Sequence, residues 1–146
     1  MTILLSSEKT ARQIGEVLPQ AGVSFTTNSI SVKADQLLQV ARFLKETQGL
    51  DFDYLVNITG VDYLDYIDVV YHLVSQKNNH SLVLKVTCPD RNNAVVPSVI
   101  TLWRGADFLE RETFDLVGVR FDGHPNMKRI YLWEGFQGHP LRRDFR

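Results

Sequence analysis

The sequence predicts an α+β fold: a single domain with helices packed on a mostly antiparallel sheet, followed by an extended C-terminal tail. Three observations carry this. Apolar residues recur at helical spacing through much of the first fifty residues, the period changes to two from Phe52 onward, and the glycine-rich tail after Gly118 settles into neither. A chain of 146 residues fits one domain with a single modest core. The boundary is placed so that residues 1–117 form the domain and residues 118–146 the tail.

Each element has its own local reason. Ser6 or Ser7 can cap a first helix that ends near Leu18-Pro19, with Ala11, Ile14, Val17 and Leu18 on one face. Val23-Ser24-Phe25 and Ile30-Ser31-Val32 flank a polar turn and read as a short hairpin or two linked strands. Ala34 to Gln48 predicts a helix with Leu37, Leu38, Ala41 and Leu44 as its apolar stripe and Gly49 as its stop. Phe52 to Tyr63, Ile67 to Val74 and Ser81 to Thr87 are β-rich runs separated by Asp65-Tyr66 and Lys77-Asn78-Asn79. Connections this short require an antiparallel meander. Asp90 to Asn93 reads as a polar loop. Pro97 suits a helix first turn and leads into Val99 to Leu116, expected as two helical pieces broken near Gly105. Gly118 ends that helix, and mostly extended or irregular chain is expected from Val119 on.

Composition narrows the function classes. A net charge of −1 gives no bulk attraction to nucleic acid or anionic lipid. The charge is uneven, because residues 118–146 hold six Lys/Arg against three acids while the rest of the chain is acidic. With Cys88 as the only cysteine, neither an internal disulfide nor a four-thiolate metal site can form. The first residues lack the basic start and long apolar run of a signal peptide. No stretch approaches the 18 or so apolar residues of a membrane span, so membrane association is expected only through partners.

Chemistry-bearing groups concentrate in the last third. Glu110, Arg111, Glu112 and Asp115 lie on one predicted helix, where Arg111 and Asp115 are four apart and share a face. Glu110 and Glu112 diverge too far for a paired-carboxylate site, so the ridge either docks a partner or the tail, or is an ordinary solvated face. The tail holds Gly-His-Pro twice, around His124 and His139, each followed by a basic pair: Lys128-Arg129 and Arg142-Arg143. The two histidines could be metal ligands, but their spacing is wrong for a helical pair, and an imidazole in such a turn serves readily as a backbone partner. No glycine loop has the spacing of a nucleotide-binding fingerprint. Cys88 lacks a base nearby in sequence and reads as a structural thiol. Tyr131, Trp133 and Phe136 beside basic residues could stack single-stranded nucleic acid, but Asp122, Glu134 and Asp144 interrupt the run. Ile130, Tyr131, Leu132, Trp133 and Phe136 are too apolar for a solvated terminus, so a partner is expected to cover them.

Taken together, Glu110-Arg111-Glu112-Thr113-Phe114-Asp115-Leu116-Val117, then His124, Lys128 and Ile130-Tyr131, resemble the signature of the 30 kDa subunit of respiratory complex I. Trp103, Ala106-Asp107-Phe108 and Gly-His-Pro-Leu-Arg-Arg-Asp-Phe (138–145) agree with it. So do Phe52-Asp53-Tyr54-Leu55, Val61-Asp62-Tyr63, Tyr71-His72-Leu73-Val74 and Val96-Pro97-Ser98-Val99. The similarity spans about residues 32–145, departing at Trp133 to Gln137. It implies a non-catalytic, peripheral-arm subunit of a proton-translocating NADH:quinone oxidoreductase, or the equivalent scaffold of an energy-converting hydrogenase or related complex. It implies no catalytic residue, metal or cofactor in this chain, with FMN, iron–sulfur clusters and quinone held by partner subunits. The expected partners are the large quinone-pocket subunit and adjacent iron–sulfur subunits, at the cytoplasmic face of the membrane. The matching docking residues are Glu110, Arg111, Glu112, Asp115, His124, Lys128, Arg129, Ile130, His139, Arg142, Arg143 and Asp144.

Overall fold

The computed structural model describes residues 2–145. Helix α1 (Ser7–Val17) starts where Ser6 Oγ accepts from the Lys9 N–H, and it buries Ala11 and Ile14. Short strands β2 (Ser24–Phe25) and β3 (Ile30–Val32) pair antiparallel as the expected hairpin. The next helix is shorter than the sequence suggests. Residues Ala34–Gln36 form a 3₁₀ turn, and α2 (Leu37–Glu46) follows with Leu37, Val40, Ala41 and Leu44 buried.

Strands β4 (Tyr54–Asp62), β5 (Ile67–Ser75) and β6 (His80–Cys88) form the antiparallel meander, with an irregularity between Leu55 and Asn57. Their register builds the core. Ile67 lies opposite Cys88, Val69 opposite Val86, Tyr71 opposite Leu84 and Leu73 opposite Leu82, all on one buried face. Burial pushes the Cys88 thiol up to about 11, as suits a packed, inert side chain. The sheet is mixed: β6 also pairs parallel with β3 and with β1 (Ile3–Leu4). Those pairings join segments some fifty and more than seventy residues apart, which no local period reveals.

The largest departure lies around Pro97. Residues Val95–Pro97 form strand β7, not a helix start, and the segment from Val99 to Gly105 is a set of turns. Proline is tolerated there because the second sheet has only two strands and its edge needs no N–H from it. Helix α3 (Ala106–Val117) follows, and after it β8 (Arg120–Asp122) pairs parallel with β7. Val119 and Phe121 are buried, so the body continues through Asp122, past the boundary at 117/118 placed from sequence. Beyond Asp122 the described chain has no further helix or strand. It runs in turns against α3 instead of extending away from it, and it half-buries Ile130, Leu132 and Phe136 itself.

Candidate docking site

Helix α3 is the base of the site. It packs on β4 at Gly60, where an added Cβ would lie 3.0 Å from Val117 Cγ1 and 3.1 Å from Thr113 Cγ2. A larger residue would push Val117 and Thr113 back by a few tenths of an ångström, so glycine suits this close approach of helix to strand. One face of α3 therefore meets the sheet, and its C-terminal end receives the tail.

Asp115 is the centre of that reception, fully buried. Its Oδ2 accepts the consecutive backbone N–H groups of Ile130, Tyr131 and Leu132 at 3.2, 2.8 and 3.1 Å. Arg129 Nη1 donates to its Oδ1 at 2.8 Å and to its main-chain oxygen at 3.1 Å. Burial alone would raise the carboxyl's pKa; the three N–H groups and the guanidinium outweigh it and hold the acid below its ordinary range. Arg129 Nη2 reaches further, donating to the carbonyls of Phe136 and Gly138 at 2.9 Å each, while its guanidinium lies 5.5 Å from the Phe136 ring centre. One planar fork thus ties together three parts of the chain.

Arg111 does not pair with Asp115, although four residues separate them. It donates instead to the carbonyls of Lys128 and Arg129 at 3.2 and 3.1 Å, fixing the tail one step earlier. Both histidines bond backbone. The Asn126 N–H donates to His124 Nδ1 at 2.9 Å, so Nε2 carries the proton toward Asp107, 3.2 Å from its carbonyl and 3.0 Å from its carboxylate. His139 Nδ1 donates to the Asp115 carbonyl at 3.0 Å, and burial holds this imidazole's pKa below its usual value. Arg142 donates to the carbonyls of Val117 at 2.7 Å and Arg91 at 2.9 Å. These bonds occupy carbonyls at the end of α3 that the helix leaves without partners.

A second carboxylate holds the tail's end. Asp62, at the end of β4, accepts from Arg91 Nε at 2.9 Å, from the Arg143 N–H at 2.9 Å and from the Leu64 N–H at 2.9 Å. Arg91 also pairs with Asp144 at 3.0 Å. The Arg91 guanidinium holds the Asp62 carboxyl down to about 2. Asp62 lies within the Val61-Asp62-Tyr63 run that agrees with the family, but no local spacing pairs it with Arg91, 29 positions away.

The remaining predicted residues divide. Glu110 faces away from the tail: fully buried, it accepts from Ser98 Oγ at 2.5 Å and the Val99 N–H at 2.9 Å. It is a structural brace for the turns after β7, with burial pushing its carboxyl up to about 7. Glu112 is half-buried and lines a shallow groove of about 190 Å³ with Asn57, Thr113, Leu116 and Leu141. The side chains of Lys128 and Arg143 are exposed, as are Tyr131 and Trp133. A solvated-ridge reading of the helix therefore fails at Glu110 and Asp115. Among the described residues no group of three or more His, Cys, Asp or Glu is placed to hold a metal ion, and no helix is long and apolar enough to cross a membrane.

The geometry describes a tail tied by hydrogen bonds to α3 that leaves Lys128, Tyr131, Trp133 and Arg143 exposed, and comparison with known proteins gives it a context. Residues 30–146 match the family model described as respiratory-chain NADH dehydrogenase, 30 Kd subunit. The chain is 46% identical over 119 residues to an NADH-quinone oxidoreductase subunit of Roseiflexus castenholzii, covering 80% of this chain and 68% of that one. It is 40% identical over 134 residues to the like-named protein of Rhizobium meliloti, covering 90% and 72%. Among solved structures, a chain of the membrane-bound sulfane sulfur reductase, an archaeal respiratory membrane complex, superposes with a TM-score of 0.75. The identity is 26%, over 95% of this chain and 85% of that one.

Proposed function

The chain belongs to the respiratory-chain NADH dehydrogenase 30 kDa subunit family, and from that membership we propose its part in the parent complex. It is a subunit of a proton-translocating NADH:quinone oxidoreductase, which passes electrons from NADH through FMN and iron–sulfur clusters to quinone. Its own part is scaffolding, with no active site or cofactor in this chain. The tail, held rigid by Asp115, Arg129, Arg111, His139 and Arg142, is the docking element for the large quinone-pocket subunit and its iron–sulfur neighbours. The chain sits on the peripheral arm at the cytoplasmic face and meets the membrane only through partners.

The observation that carries this reading is the family match over residues 30–146, which takes in α3 and the whole tail. Its physical counterpart is Trp133 and Tyr131, each about two-thirds exposed on a segment whose backbone is pinned. Large aromatics left in water on a fixed frame are what a protein partner covers. Docking preordered side chains also avoids the entropy cost of ordering a loose tail.

The test is a tagged copy of the chain isolated from gently solubilised membranes, with its partners identified and flavin, iron and nickel assayed. Recovery with a quinone-pocket subunit, iron–sulfur proteins and flavin is the expected result. Recovery of the chain alone contradicts the reading. The structural likeness to the sulfane sulfur reductase complex supports a second reading, the equivalent scaffold of another complex I-like oxidoreductase. Iron–sulfur partners without a flavin-bearing NADH module, or nickel in a large partner subunit, point to that one.

A further inference from the structure

The turn between β4 and β5 has the usual turn aspartates, Asp62 and Asp65, but also an unusual load of large side chains. Tight turns favour Gly, Asn, Asp and Pro, yet Tyr63, Leu64 and Tyr66 all stand exposed here, at 42%, 48% and 37%. Leu64 has φ 71°, in the left-handed region that a leucine adopts only under strain. The rings of Tyr63 and Tyr66 stack with centroids 5.0 Å apart, so the knob is a fixed shape. With Leu64 only half covered, the fold's own packing gives little return for that strain.

Asp62 maintains the arrangement, and it also reaches the tail. Its Oδ1 accepts from the Leu64 N–H and its Oδ2 from the Arg143 N–H, each at 2.9 Å. Arg91 closes the cluster by pairing with both Asp62 and Asp144. One buried carboxylate therefore sets the turn and the last residues of the tail relative to each other. Arg143 has its backbone fixed there but its side chain exposed, and no ion pair engages it among the described residues. An apolar knob and an unpaired cation are thus held side by side, continuous with the tail.

We infer that the β4–β5 turn and the end of the tail form one docking surface, received by the large quinone-pocket subunit that takes the tail in the reading above. That subunit offers an apolar recess for Leu64 and the two tyrosines and a carboxylate for Arg143. The inference rests on the docking reading above and adds the turn to it.

The experiment compares two variants, each carried as the only copy of the full chain in cells, by the fraction that assembles into the membrane complex. One is Leu64→Asn with Tyr66→Ser; asparagine suits the left-handed conformation, so the melting temperature should not fall. The other is Tyr131→Ala with Trp133→Ala in the tail. Independently of folding, a photo-crosslinking residue is placed at position 64 or at position 133 and the subunit it reaches is identified. The expected result is a loss of assembly of about tenfold or more for both variants, with crosslinks from both positions to the same subunit. Normal assembly of the turn variant with loss in the tail variant overturns this inference and leaves the docking reading standing. Normal assembly of the tail variant overturns both. A crosslink from position 64 to a second copy of this chain, or to a different subunit from position 133, overturns the shared surface.

Discussion

Asp115 and Glu110 sit five residues apart on the same helix, both fully buried, and their surroundings drive them in opposite directions. Asp115 meets three N–H donors and the Arg129 fork, so it is held ionised. Removing its cation exposes the cost: Arg129→Ala is expected to destabilise the chain by about 3 kcal/mol, because a buried carboxylate loses its counter-ion. Arg129→Lys should recover less than half of that, since an ammonium cannot reach Asp115, Phe136 and Gly138 at once. Urea unfolding of the three proteins checks both. Glu110 has two donors and no cation, and burial lifts it from 4.5 to about 7. The unfolded chain loses this proton near pH 4.5 and the folded chain only near pH 7. The folded state is therefore unpenalised below the lower value and loses up to about 3 kcal/mol as pH rises through the window. Glu110→Gln can still accept from Val99 and donate to Ser98. It is expected to flatten stability between pH 4.5 and 7 and to exceed the parent at pH 8, as measured by melting temperature against pH.

At the scale of elements, Gly118 joins helix to tail. It ends α3 with φ 88°, and an added Cβ would lie 2.6 Å from His139 Cδ2 and 2.7 Å from Arg142 Nη2. Both of those side chains are committed to carbonyls of α3 or Arg91 and cannot move aside freely. Gly118→Ala is therefore expected to cost about 1–3 kcal/mol through backbone strain and overpacking. It should also speed amide exchange at Leu141, whose N–H donates to Leu116, more than in the β5–β6 core. Elements of this kind differ in how legible they are in sequence. The cap at Ser6, the stripe of α2 and the three long strands follow from local period and turn chemistry, and the structure has them within a few residues. Strand β7 is hidden because Val95-Val96-Pro97 is too short to show a period and its partner β8 lies beyond α3. The parallel pairings of β6 escape for the same reason. Within the site, the residues facing the tail can be named from their sequence pattern, but not their pairing. The i,i+4 spacing suggests that Arg111 and Asp115 meet, whereas tail carbonyls and amides take both. The second anchor, Asp62 with Arg91, depends on a contact between distant segments that no spacing encodes.

For the whole molecule, two buried carboxylates close the tail onto the body while Lys128, Tyr131, Trp133 and Arg143 stay outside. In the reading proposed above, the free subunit is thus already shaped for docking. The measurement that tests this most directly is the assembled fraction of the chain when Tyr131 and Trp133 are both replaced by alanine, with the melting temperature as control. Both side chains are largely in water in the free subunit, so folding should change by no more than about 1.5 kcal/mol, the worth of the lost Trp133–Phe136 edge contact. The account predicts that the variant folds normally yet fails to join the membrane complex, leaving NADH:quinone activity low while the NADH-oxidising module stays active. Normal assembly and full NADH:quinone activity would contradict it.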